Sequence, residues 1–68
     1  LVAYEPSSST IIVRDPAATQ IRLVDLLGRA YTVAPEMPVT RIAISTRGMM
    51  FVIVSTASGD YMRPILIR

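Results

Sequence analysis

Cysteine, histidine, tryptophan and lysine are all absent from this chain of 68 residues. Without cysteine there is no disulfide framework, and without cysteine and histidine there is no zinc site of the usual kind to staple so short a chain. The same two absences rule out Ser-His and Cys-His catalysis within the chain. Glycine is scarce too: Gly28, Gly48 and Gly59 are dispersed, and a phosphate-cradling loop needs several together ahead of a helix. No stretch approaches the ~18 apolar residues of a membrane-crossing helix. The side-chain carboxylates Glu5, Asp15, Asp25, Glu36 and Asp60 are isolated from one another. Each falls at a turn or strand end, where Asp15 and Asp60 are expected to serve turns and Asp25 and Glu36 have no spacing that asks for an acid pair. The expectation is a protein that is not an enzyme and uses no cofactor or metal.

All seven basic residues are arginine, against five acidic ones. Arg14, Arg22, Arg29, Arg41, Arg47, Arg63 and Arg68 are spread almost evenly, with four aromatics among them. Nucleic-acid binders cluster their basic residues along one face, so no nucleic-acid partner is expected. What the chain does have is 51% hydrophobic content rich in isoleucine, valine and leucine. That is ample for a core in a single domain, although a chain this short leaves little stability to spare.

Helical periodicity is missing, whereas runs of four to eight residues rich in β-branched side chains recur between turn signals. They predict strands at Leu1–Tyr4, Thr10–Arg14, Gln20–Leu26, Ala30–Val33, Val39–Ile44, Met49–Thr56 and Tyr61–Arg68. Asp15-Pro16 starts a turn, and Gly28 suits a positive-φ reversal between the third and fourth strands. Pro35 and Pro38 block regular pairing. Ala57-Ser58-Gly59-Asp60 makes a second hairpin turn, and Pro64 places the seventh strand at a sheet edge. Seven short strands so spaced predict an all-β fold, a small antiparallel immunoglobulin-like sandwich.

The most apolar part is Met49–Val54, where both alternating faces are rich in apolar residues and so must be covered from both sides. If Met50, Val52 and Val54 face inward, then Phe51 and Ile53 point outward together as an apolar patch. Met50 reads as core. Met49 reads equally as core or as part of an adaptable docking surface.

In its order of motifs the chain resembles the C-terminal sorting domains of the type IX secretion system of Bacteroidetes. The resemblance rests on Tyr4-Glu5-Pro6-Ser7-Ser8-Ser9-Thr10-Ile11-Ile12-Val13, on Asp25-Leu26-Leu27-Gly28-Arg29, on Gly48-Met49-Met50-Phe51-Val52-Ile53-Val54 and on a terminal apolar-basic strand. It implies a seven-stranded sandwich, residues 1–68 forming a single C-terminal domain of a longer parent protein. It implies a signal that carries its cargo from the periplasm across the outer membrane to the cell surface or medium. The implied partners are the outer-membrane translocon and the surface sortase that usually removes the domain. The implied recognition residues are Gly48, Met50, Val52, Val54, Arg63, Ile65, Leu66, Ile67 and Arg68, and the implied structural turn is Asp25, Leu27, Gly28 and Arg29. Met50 stands where an aromatic is common in the family, Arg63-Pro64 replaces a common lysine, and Arg68 stands for the usual terminal lysine. The alternative is a retained, uncleaved docking or adhesion module. On the sorting reading the last two strands, chiefly Met50–Val54 and Ile65–Arg68, are presented to the export machinery, the terminal edge serving as a template for another protein's strand or, by exchange of the last strand, for a second copy.

Overall fold

A computed structural model describing residues 1–68 contains seven strands and no helix. They are β1 (Val2–Glu5), β2 (Thr10–Val13), β3 (Ala18–Asp25), β4 (Ala30–Val33), β5 (Thr40–Ala43), β6 (Gly48–Thr56) and β7 (Gly59–Ile67). All pairs are antiparallel, in one sheet of order β1-β2-β5 and another of order β4-β3-β6-β7. The protein is an all-β sandwich of immunoglobulin-like type. Its fourth strand lies in the second sheet, whereas the constant-type immunoglobulin arrangement places it beside the fifth strand in the first.

Alternation along the strands sends one set of side chains between the sheets. Ile11, Val13 and Ile42 come from the first sheet, and Ile21, Leu23, Met50, Val52, Val54 and Ile67 from the second. The largest fully buried side chains are Ile11, Ile21, Val13, Val52 and Val54. Stiff β-branched side chains dominate this core, as a pleated surface favours. Tyr61, on β7, ties the sheets' ends together: its hydroxyl donates to Asp15 Oδ2 at 2.6 Å in the β2–β3 turn. The Arg63 guanidinium stacks 4.8 Å from the Tyr61 ring centroid.

Three expectations need correction. The β6–β7 turn is Ala57-Ser58 alone; Gly59 and Asp60 already belong to β7, opposite Thr56 and Ser55. Asp60 therefore serves no turn and instead pairs with Arg22 across β6, at 3.4 Å. The third strand begins two residues earlier than its alternation suggests, at Ala18, with an irregular register between Ala18 and Gln20. Asp15 does serve its turn, accepting from the Ala17 N–H at 2.9 Å.

Gly28 closes the β3–β4 hairpin at φ 84°, in the left-handed region. A Cβ built there meets nothing within 4 Å, so a side chain costs only backbone strain. Gly28→Ala is expected to lower the unfolding free energy by about 1 kcal/mol, read as a shift of the urea midpoint at unchanged slope. Gly28→Asn, a residue that tolerates this conformation, is expected to recover most of that loss.

Candidate functional site

Strand directions bring the motif pieces to one end of the sandwich. β3 finishes at Asp25, which pairs with Met50 near the start of β6, and Gly48 pairs with Ile67 at the end of β7. The Asp25–Arg29 turn, the Thr46-Arg47-Gly48 corner and Arg68 therefore share that end. A small hollow of about 110 Å³ separates turn from corner, lined among others by Leu26, Leu27, Arg29, Arg47 and Met49. The Tyr4 hydroxyl donates to the Arg68 carbonyl at 3.5 Å, adding β1 to the cluster.

Asp25 organises the turn. Its Oδ1 accepts the Leu27 and Arg29 N–H groups at 3.0 and 2.9 Å. Its Oδ2 accepts from Arg29 Nε at 2.7 Å. Satisfied inside the turn by its own carboxylate, the backbone leaves Leu26 and Leu27 pointing into solvent, 72% and 80% exposed. Burial pushes the Asp25 carboxyl up, but the bonds from the Arg29 backbone and guanidinium and from Leu27 outweigh it, so the net shift is downward. The Tyr61 hydroxyl, joined by the Ala17 N–H, holds Asp15 low as well. Burial and then Asp15 raise Tyr61 above its ordinary value of 10.0.

The signs predict both limbs of the pH profile. Carboxyls held low in the fold contribute stability that is complete above their unfolded value of about 4 and is lost as pH falls through the lower folded values. The raised Tyr61 contributes below about 10, and that contribution is lost as pH rises past it. Asp25→Asn is expected to lower Tm at pH 7 and to flatten the fall of Tm below pH 4. Tyr61→Phe is expected to flatten the alkaline fall. Thermal unfolding from pH 2 to 11 measures both.

The outer face of the four-stranded sheet is the second feature. Met49, Phe51 and Ile53 on β6 lie beside Leu66, Pro64 and Met62 on β7, with Val24 opposite Phe51 on β3. Met62 is 51% exposed and Leu66 48%, while Met49, Phe51 and Ile53 are half-buried. Arg22, in register with Ile53, and Asp60, opposite Ser55, bring charge to it as an ion pair at 3.4 Å. Met49 thus belongs to this outer face, and with Met50, Val52 and Val54 buried, Phe51 and Ile53 share it.

The implied recognition residues are divided by the fold. Met50, Val52, Val54 and Ile67 are core residues, at most 4% exposed, because their phase along β6 and β7 faces the other sheet. In the folded domain their side chains are covered by the domain itself. β6 itself lies between β3 and β7, so it offers no free edge. Gly48, Arg63, Leu66 and Arg68 are exposed, and Ile65 is half-buried. Arg63 lies on the inward side of β7 over Tyr61, away from the outer face. Sequence reasoning passed over Met62 and Pro64 as surface residues, although they share the phase of Leu66.

β7 is an edge strand, as Pro64 predicts. A two-residue turn makes Thr56 and Gly59 a hydrogen-bonded pair, and alternation then leaves Phe51 and Pro64 in a non-bonded pair. The Pro64 nitrogen therefore faces the free edge, where it has no hydrogen to donate. The row of donors on this edge is interrupted at its middle, which blunts it against strand addition. No protein-family model matches the chain, and neither a curated protein nor a solved structure matches it.

Proposed function

We propose that this domain is a non-catalytic sorting domain of the type IX secretion kind, which delivers an attached cargo across the outer membrane. The carrying observation is the convergence of Asp25–Arg29, Gly48 and Arg68 at one end, beside a continuous apolar face made by β6 and β7. Three of the segments on which the family resemblance rests, the Asp25–Arg29 turn, the Gly48 corner and the terminal strand, lie far apart in sequence and meet at this end of the fold. That surface has no reactive group, which suits recognition by another protein and gives catalysis nothing to work with. The side chains offered are Met49, Phe51, Met62 and Leu66, with Leu26 and Leu27 at the end. The partners are the translocon and sortase proteins that the resemblance implies.

The test is a fusion of residues 1–68 to a fluorescent protein exported to the periplasm of a host that has this secretion system. Reporter at the surface with the domain removed is the expected result. Reporter at the surface with the domain still attached makes it a retained docking or adhesion module. Reporter left free in the periplasm refutes sorting, and the sandwich is then only a fold.

A further inference from the structure

Four strands face three in this sandwich, and the mismatch opens one side. β4 overhangs the edge strand β5, so the inward-facing Tyr31 and Val33 of β4 have no strand opposite them. The space they overlook is an apolar cleft of about 290 Å³, walled by Leu23, Ile42, Ile44 and Met50 besides those two. The opposite side differs: there β1 lies against β7, and Tyr4 bonds Arg68. Beyond the cleft, Thr40–Ala43 of β5 pairs with β2 on one side only. In the constant-type immunoglobulin arrangement a strand occupies this place.

Charge says what kind of strand fits. Arg41 points to the outer side of β5, is exposed and has no acidic partner within ion-pair distance. Its neighbour across the ladder is Ile12, and Arg14 follows just past the end of β2, two residues on. A strand added to β5 sends alternate side chains inward over Tyr31 and Val33 and the others outward beside Arg41. Two β5 edges paired with each other bring their Arg41 side chains together, which disfavours a second copy as occupant. Pro64 has no counterpart in β5, so this edge keeps its donors.

We propose that the β5 edge and the cleft beneath it accept an extended peptide segment of a partner protein, apolar at alternate positions and acidic at the position beside Arg41. The added strand completes the three-stranded sheet and fills the cleft with its apolar row, the β-augmentation mode of peptide recognition. This surface is separate from the outer face of β6 and β7 and does not depend on the sorting role.

The probe is a fluorescein-labelled seven-residue peptide of alternating valine and glutamate, with its lysine-for-glutamate counterpart as control. Binding is followed by anisotropy, and the site by amide shifts and hydrogen exchange of the ¹⁵N-labelled domain. The expected result is saturable binding of the acidic peptide, with new protection confined to Thr40–Ala43 and shifts at Tyr31 and Val33. Arg41→Glu is expected to weaken it at least tenfold and to reverse the preference toward the lysine peptide. Because Arg41 is exposed, the variant keeps its fold, which its amide spectrum verifies. No binding at millimolar peptide, protection mapping to Gly59–Ile67 instead, or an unchanged preference in Arg41→Glu each overturns the proposal.

Discussion

Val54→Asp is expected to leave the domain unfolded at 25 °C. Val54 is fully buried between Ile21 on β3 and Tyr61 on β7, inside the nine-residue cluster that holds the sheets together. An ionised carboxylate there loses its hydration and finds no cation: the nearest basic side chain in register, Arg63, sits two residues along β7 and stacks over Tyr61. Such an uncompensated charge costs several kcal/mol even after relaxation. A domain of this size has about 3 to 10 kcal/mol in total at the usual ~0.05–0.15 kcal/mol per residue, and no disulfide adds to that. Truncation grades the same effect. Val54→Ala is expected to cost about 2 kcal/mol and Ile21→Ala about 2–5 kcal/mol, the second being larger because it removes more buried carbon. Circular dichroism and the spread of amide resonances decide the first variant, and urea unfolding the other two. A dispersed amide spectrum for Val54→Asp would mean that water reaches the space between the sheets.

The consequence for function is a warning about Met50, Val52, Val54 and Ile67. A polar substitution at any of them destroys the fold, so a loss of reporter delivery in such a variant carries no information about recognition. Ile65 is also compromised, since it packs against the core while half-buried.

Most of the fold was legible from local signals. Period-two alternation with glycine, proline and aspartate between the runs located all the strands, and Gly28 located the β3–β4 hairpin. Pro64 identified an edge because a proline nitrogen has nothing to give a ladder. Local signals stop where long-range pairing begins. Nothing in Thr10–Val13 says that its second partner is Thr40–Ala43, thirty residues away. Nothing in Arg22 says that its guanidinium reaches Asp60 across β6, so Asp60 looked like a turn residue. Met49–Val54 shows the limit most clearly. Both of its faces are apolar, so alternation establishes which residues share a side but not which side lies inside. The three-stranded sheet over Met50, Val52 and Val54 decides that. The candidate site follows the same rule: its pieces were visible, but their meeting at one end depends on register.

Met62→Lys combined with Leu66→Lys is expected to do the reverse of the core variants. Both side chains are about half exposed on the outer face, at positions where β7 contributes nothing to the interior. Substitutions there change stability by only about 0.5 kcal/mol or less each, and lysine on an edge strand also discourages aggregation. The face itself changes greatly. Two ammonium groups land within one strand's width of Phe51 and Ile53, and a partner that buries this surface must strip water from both. Delivery of the fused reporter to the surface is expected to fall at least tenfold, with the Tm of the isolated domain held within a few degrees. Arg41→Glu, on the other sheet, is the control that leaves delivery unchanged. The separation of the two readouts is what matters: delivery lost while Tm is kept assigns recognition to the outer face of β6 and β7. If delivery survives both lysines, the export machinery reads some other surface, and the exposed Leu26 and Leu27 of the end turn are the next residues to replace.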